Sequence, residues 1–271
     1  MRQFVAPFFS DSKGRLRLQG KDYRYLSTVL RLRQGDVLPV RFPDGSLVNM
    51  EVWEIGNKFI ELRLSDREET TERGVSALEI DREEAGDEIW LFQFVAKAQK
   101  MDLIIRQATE IGVSYIVPVQ SAFSVQVDSA DRKERWRRIV REARQQSGSP
   151  RDTQVLSPCS LEKALQTWEE MAPGGKGFVL YEEVGGSKTF HQGIVSYLKD
   201  VAEDKRQCAL VAGCEGGISR EELALMESKG FIPIHFRTNI LRAETAALYG
   251  LAVLQNLLTE YDTWQLKESI Y

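Results

Sequence analysis

The chain is poor in the residues that hold metals and disulfides. Its 271 residues include three cysteines, Cys159, Cys208 and Cys214, with no Cys-x-x-Cys spacing, and two histidines, His191 and His235. That inventory argues against a zinc site and against a disulfide framework, and no metal is expected. Free thiols suit a reducing cytoplasm, so a cytoplasmic protein is expected. No run of 18 apolar residues occurs, so no membrane span is expected. The segment MRQFVAPFFSDSKG lacks a long apolar stretch ending in small residues, so no secretory signal is read. Net positive charge is missing too. Lys/Arg number 36 against 40 Asp/Glu, and the resulting −4 speaks against a generally basic nucleic-acid binder. Internal repeats and low-complexity tracts are absent.

What is present is an ordinary globular composition, 42% apolar and 28% charged, enough for one large domain or two smaller ones. Charge is unevenly spread. Residues 1–42 carry nine Lys/Arg and three Asp, which leaves +6 locally, and a second basic cluster runs RKERWRRIVREAR from Arg132 to Arg144. Such clusters bind phosphates even in an acidic protein. A solvated helix face is the competing reading of the second.

Residues 1 to about 72 read as β-rich. GDVLPVRF, SLVNMEVW and KFIELRL are strand candidates, Pro43-Asp44-Gly45-Ser46 is a hairpin turn, and a helical patch covers Lys21 to Leu32. The polar stretch SDREETTERG reads as a linker. From about residue 88 strands and helices alternate, which predicts an α/β domain with a mostly parallel sheet. Its strands are EIWLFQFVA, VSYIVPVQ, TQVL, GFVLYEE, CALVAG and FIPIHF. Its helices are KMDLIIRQATEIG, DRKERWRRIVREARQQSG, SLEKALQTWEEM, a weaker HQGIVSYLKDVA, SREELALMESKG and the closing AETAALYGLAVLQNLLTEY. From Ala246 to Leu258 only Gln255 and Asn256 are clearly polar, so that last helix is buried on most sides, in the core or at a dimer interface.

Two turns in this pattern carry chemistry. Gly213-Cys214-Glu215-Gly216-Gly217-Ile218-Ser219 follows the strand CALVA and precedes a helix opened by the Ser219/Glu222 capping box. The loop has no lysine, so it is not a P-loop, and its spacing is not that of a Rossmann turn. Its carboxylate, Glu215, would repel a pyrophosphate. A nucleoside ligand without phosphate fits better, and S-adenosylmethionine, with cationic sulfonium and amino groups, is such a ligand. A plain tight turn is the competing reading. The second segment, ILRAETAAL from Ile240 to Leu248, lies between FIPIHF and the last helix. Both segments therefore sit at strand C-terminal ends, where open α/β sheets bind ligands. Glu244 and Thr245 also serve as ordinary first-turn residues, whereas Arg242 has no capping reason to precede a helix.

GCEGGISREE resembles the G-P-E-G-G-[FLI]-S-x-x-E motif of the 16S ribosomal RNA uridine-N3 methyltransferases, the RsmE family of the SPOUT superfamily. ILRAETAAL resembles that family's [VI]-L-R-x-E-T-A-x-x. KAQKMDLIIRQATEIGVSYIVPVQS, ERWRRIVREARQQSG and YLSTVLRLRQGD are similar to three further family segments, in order along essentially the whole chain. The pattern departs at Cys214, where the family has proline, and at Tyr25, Gln107 and Ser149. The family's arginine before I-L-R is missing, and Phe236-Arg237-Thr238-Asn239 stands there.

The resemblance implies a SPOUT-type parallel sheet with a C-terminal trefoil knot over residues 73–271, preceded by a small PUA-like β-barrel RNA-binding domain over residues 1–72. It implies a homodimer that uses S-adenosylmethionine to methylate 16S rRNA of the small ribosomal subunit. The cofactor residues carried over are Tyr181, Glu182, Ala212, Gly213, Glu215, Gly216, Gly217, Phe236, Ile240, Leu241, Thr245 and Leu248. Arg242 and Glu244 are the expected catalytic pair: Arg242 to stabilise charge on the uracil ring, Glu244 to accept a proton or orient Arg242. Arg31, Lys100, Arg141, Arg144 and Arg151 are candidates for RNA phosphates. The alternatives are a non-catalytic RNA-binding protein with a degenerate domain, and a SPOUT enzyme with a different RNA target.

Overall fold

In a computed structural model the described residues are 3–65, 86–124, 130–182, 188–189, 192–195, 197 and 206–268, without the side chains of 130–131, 188 and 261–268. The chain divides into two compact units, Met1–Asp81 with Arg144–Pro150, and Arg82–Ala143 with Arg151–Tyr271. The expected boundary near residue 72 and all of the linker after Ser65 lie outside the described residues.

The first unit is a five-stranded sheet of β1 (Phe4–Val5), β2 (Arg15–Gln19), β3 (Val37–Arg41), β4 (Leu47–Gly56) and β5 (Phe59–Leu64), in the order β1-β3-β4-β5-β2. Alternation sets the faces. RLRLQ buries Leu16 and Leu18 and turns Arg17 and Gln19 outward, and FIELRL buries Ile60 and Leu62. These residues join Phe4, Leu26, Val40, Met50 and Val52 in one core. The Pro43–Ser46 turn forms as expected, with the Phe42 N–H donating to the Ser46 carbonyl at 2.9 Å. The helical patch is shorter than expected. It comprises α1 (Gly20–Arg24) and one wide π turn, Tyr25–Val29. The Ser27 hydroxyl donates back to the Tyr23 carbonyl at 2.7 Å, a bond that competes with regular helix. Strands β1 and β2 escaped the sequence reading because one is two residues long and the other alternates leucine with arginine.

Residues 144–150 belong to this unit through polar contacts. The Gln3 side chain donates to the carbonyls of Arg144 and Ser149 at 3.0 and 3.1 Å and accepts from Arg41 Nε at 2.8 Å. The Val5 N–H donates to Gln145 Oε1 at 3.2 Å, and Gln146 Nε2 donates to the Tyr25 hydroxyl at 3.4 Å.

The second unit is built on β6 (Glu88–Phe94), β7 (Tyr115–Gln120), β8 (Gln154–Val155), β9 (Cys159–Ser160), β10 (Lys176–Leu180), β11 (Lys188–Thr189), β12 (Gln207–Ala212) and β13 (Ile232–His235). The strand order is β11-β13-β10-β12-β6-β7-β8, with β9 also on β7, and every pairing among the described residues is parallel. EIWLFQF and QCALVA are buried almost throughout, as strands covered on both faces must be. The helices are α2 (Ala98–Ile111), α3 (Ala130–Ser147), α4 (Leu161–Met171), α5 (Arg220–Ser228) and α6 (Ala243–Glu268). Of the weaker helix expected over residues 191–202, only 192–195 and 197 are described, and they are helical. Helix α4 shows why these segments coil: Leu161, Ala164, Leu165 and Trp168 recur on one face and are buried. Trp168 meets Trp90, Phe92 and Phe231 edge-on, at centroid distances of 5.4 to 6.3 Å. Helix α6 buries Ala247, Leu251, Leu254, Leu257 and Leu258 and packs on α2, β12 and β6.

One ion pair ties the start of the sheet to this helix. Arg206, just before β12, is bound by both oxygens of Asp87, just before β6, at 2.9 and 2.7 Å, and donates to the Leu258 carbonyl at 2.6 Å. Both side chains are nearly closed off from solvent. Asp87→Ala leaves the guanidinium buried without its counter-ion, so a loss of about 3 kcal/mol in unfolding free energy is expected, read from the urea midpoint. A loss below about 1 kcal/mol refutes this role.

Candidate active site

Three neighbouring strands end level with one another. Val179 of β10 pairs with Val211 of β12, and Leu180 pairs with Ile234 of β13. The segments that leave their C-terminal ends, 181–182, 213–219 and 236–242, line a cleft of about 860 Å³. This is the place where a parallel sheet opens for a ligand. Leu180, Ile234, Phe236 and Ala246 give it an apolar part, and Glu182, Glu215 and Glu221 with Lys100, Arg220 and Arg242 give it charge of both signs.

The glycine loop holds its shape without a proline. The Gly217 N–H donates to the Cys214 carbonyl at 3.0 Å, and Cys214 is buried, its sulfur 3.9 Å from the Ser121 hydroxyl and from the Gly217 carbonyl. Gly217 has φ +78°, in the left-handed region that only glycine enters freely, and nothing lies within 4 Å of where its Cβ would be. The backbone there is open to a ligand. Beneath the loop, the buried Gln93 side chain donates to the Ala212 and Gly213 carbonyls at 3.3 and 3.2 Å. The capping box closes as read: Glu222 N–H to Ser219 Oγ at 3.2 Å, Ser219 N–H to Glu222 Oε2 at 2.9 Å.

Lys100, on α2, joins the two motifs. Its ammonium lies 3.3 Å from Glu215 Oε1 and 3.2 Å from Glu244 Oε2. The bond to Glu244 and the charge of Glu215 outweigh partial desolvation and raise the Lys100 pKa above its usual 10.5. Burial pushes Glu215 up, but its own N–H, Lys100 and the Lys97 N–H outweigh that and hold it below the usual 4.5. Glu244 is lowered chiefly by its own N–H in the first turn of α6, against burial, with Lys100 and Arg242 adding to it. Both carboxylates are therefore ionised at neutral pH, and Lys100 is charged. Of the two carboxylates, Glu215 lines the cleft and offers a cationic ligand a negative group there.

Of the residues expected to hold a cofactor, Tyr181, Glu182, Gly213, Glu215, Gly216, Gly217, Phe236, Ile240 and Leu241 line the cleft, and so does Arg242. Ala212 is fully buried just before it. Thr245 and Leu248 are not among the lining residues, since they lie on other faces of α6, and neither is Glu244, expected in the catalytic pair, whose carboxylate turns to Lys100. Asn239, in place of the family arginine, lines it. Lys100, expected at RNA phosphates, lines it as well. Arg151 donates to the Asp87 carbonyl at 2.9 Å, and Arg141 is half-buried on α3. Arg31 and Arg144 belong to the first unit. Arg31 is exposed, with φ 56°. Arg144 is 6% exposed and donates to the Pro150 carbonyl, a structural role that closes it to a phosphate. Phe123, Ser219, Arg220 and His235 also line the cleft and were not anticipated. Phe123 follows the end of β7, so the rule that ligands meet strand C-terminal ends could have found it.

Residues 82–255 match the RNA methyltransferase domain family. Ribosomal RNA small subunit methyltransferase E 2 of Borreliella burgdorferi is 30% identical over 89% of this chain and 91% of its own length. The Bacillus subtilis ribosomal RNA small subunit methyltransferase E is 27% identical over 92% of this chain and 90% of its own. The chain belongs to the ribosomal RNA small subunit methyltransferase E family. A crystal structure of that enzyme from Neisseria gonorrhoeae, bound to S-adenosyl methionine, superposes with a TM-score of 0.74 at 25% identity and covers 95% of this chain and 98% of that one. A Legionella pneumophila structure with a TM-score of 0.75 at 24% identity shares the fold.

In this methyltransferase E chain, the Glu215–Lys100–Glu244 cluster has a defined pH window. The lowered carboxyl groups contribute fully above pH 4.5 and lose that contribution as pH falls through their depressed values. The raised ammonium contributes fully below pH 10.5 and loses it as pH rises through its elevated value. In ¹³C-labelled protein, both carboxyl resonances are expected to titrate below 4.5, and both midpoints to rise in Lys100→Met. Unmoved midpoints would mean that Lys100 does not hold the pair.

Proposed function

We propose that this chain methylates N3 of a uridine in 16S rRNA of the small ribosomal subunit, using S-adenosylmethionine, as a cytoplasmic homodimer. Membership of the ribosomal RNA small subunit methyltransferase E family supports small-subunit rRNA methylation, and the S-adenosyl methionine-bound relative supports the cofactor. The observation that carries the reading is the cleft. Its apolar part suits a nucleoside, the open backbone at Gly217 allows close approach, and Glu215 and Glu182 face it with negative charge. We assign residues 1–72 to a PUA-like RNA-binding barrel and 73–271 to a SPOUT domain with a trefoil knot. The position of β10 between β12 and β13, with α6 packed back on α2, supports the knot. Exposed Ile240, just before α6, and exposed Tyr249 on it, together with the absence of charge from Ala246 to Thr259, support a dimer surface. Arg31, which is exposed, remains a candidate for RNA phosphates, and no helix among the described residues is long and apolar enough to cross a membrane.

The cofactor, when bound, supplies a methyl group on a cationic sulfur. Uridine N3 bears a proton at neutral pH, and the ring becomes a nucleophile as that proton leaves. Arg242 stays protonated and stabilises the negative charge that spreads over the uracil carbonyls. Glu244 is ionised but paired with Lys100, which makes it a weak base and suits it to holding Arg242 in place. The proton then passes to solvent, and the chain's main contributions are positioning and electrostatics.

Incubating small subunits that lack the modification with the protein and cofactor, followed by nuclease digestion and mass spectrometry, is expected to yield 3-methyluridine. A methyl group on another atom overturns the N3 assignment. Arg242→Ala is expected to slow single-turnover methylation by about 100-fold with cofactor affinity unchanged. Gly217→Val, which forces a β-branched residue to φ +78°, is expected to abolish cofactor binding in calorimetry. Unaltered affinity in Gly217→Val removes the loop from the binding site.

A further inference from the structure

Phe123 is an anomaly of the second unit. The residue is 54% exposed, yet the loop that carries it is fastened on several sides. The Ser121 N–H donates to Ser124 Oγ at 3.1 Å, the two serine hydroxyls lie 2.8 Å apart, and the Ser124 N–H donates to the Ser121 carbonyl at 3.1 Å. The Ala122 N–H donates to Glu222 Oε1 at 3.0 Å. The other oxygen of that carboxylate caps α5, so one side chain clamps the Phe123 loop and the glycine loop together. Phe123 also lies directly against Gly216, where a Cβ would come within 2.5 Å of the Phe123 Cβ. Hydrophobic burial accounts for only part of this, because about half of the residue remains in water.

We infer that Phe123 is the stacking platform for the RNA base that enters the cleft. The inference rests on the methyltransferase reading above and adds a substrate-binding residue to it. N3 lies on the pairing edge of uracil, so the base must be unpaired and turned out of its stack to be methylated. An extruded base loses its neighbours' faces, and proteins replace them with aromatic rings. Phe123 supplies such a face in the right place. It lines the same cleft as Gly216, Gly217 and Arg242, but on the exposed side, whereas buried Ile234 and half-buried Leu180 and Phe236 form the part suited to the cofactor's nucleoside. A phenyl ring carries no hydrogen-bonding group, so it holds the base in place and leaves its identity to be read by other groups. The clamped loop keeps the ring in place before the base arrives, which lowers the entropic cost of stacking.

The test uses the full chain, S-adenosylmethionine and unmodified small subunits. Wild-type methyl transfer is measured first, and its absence overturns the methyltransferase reading and this inference with it. With transfer established, Phe123→Ala is expected to raise KM for small subunits by about tenfold, the size of one base–aromatic stack, with unchanged calorimetric affinity for the cofactor. Phe123→Tyr and Phe123→Trp are expected to restore KM, and Phe123→Leu, which keeps bulk without a flat face, is not. Unchanged KM in Phe123→Ala overturns the inference. So does a parallel fall in cofactor affinity, which would assign the ring to the adenine, and so does full rescue by leucine.

Discussion

The cleft depends on one constraint, the hydrogen-bonded placement of β10 between β12 and β13. Those three parallel strands bring Val179, Val211 and Pro233 to a common level, and each chain segment beyond them enters the same space. Parallel strands all point their C-terminal ends one way, so loops distant in sequence must meet there. Everything chemical at the cleft follows: the open backbone of Gly217, the carboxylate of Glu215, the guanidinium of Arg242. The strands can hold that position because they are buried on both faces, by Trp168 and Phe231 among others and by the apolar length of α6.

Electrostatics adds a second layer. Lys100 comes from α2, a helix far from both motifs in sequence, and its ammonium bridges a carboxylate from each. That arrangement holds Glu215 and Glu244 ionised at neutral pH, and Glu215 brings its charge to the cleft, where a sulfonium ligand would meet it. It also argues for Glu244 as an orienting group, since a carboxylate already paired with a cation has little appetite for a proton. The Glu222 carboxylate plays a comparable part on the other side of the glycine loop, where it accepts from the Ser219 N–H at the cap of α5 and from the Ala122 N–H of the Phe123 loop.

Much of this was legible in the residues. Helices α2, α4 and α5 and strands β6, β7 and β12 follow from apolar periodicity, and the capping box at Ser219 and Glu222 marked the start of α5. The glycine loop and ILRAETAAL were recognisable as the two motifs of the cleft. The misses share a cause. Strand β1, at two residues, is too short to show a pattern, β2 alternates but offers only two apolar positions, Leu16 and Leu18, and the π turn after α1 depends on a side-chain bond that periodicity does not report. Arg144 read as an exposed basic residue because its neighbours on the helix are charged. It is in fact buried, in a segment held by Gln3, a residue 141 positions away.

What the sequence by itself determined is the class of the fold, the two motifs and the kinship that gives them meaning, because periodicity, capping and glycine spacing are local properties. Tertiary structure alone decided which residues share the cleft. It brought Lys100 between two glutamates, set Cys214 into a closed turn without a proline ring, buried Arg144, and left Phe123 exposed against Gly216. Each of these is set by contacts between segments about a hundred or more positions apart, or by a backbone turn whose shape those contacts hold. A linear pattern carries no record of such distances until the strands are ordered in the sheet.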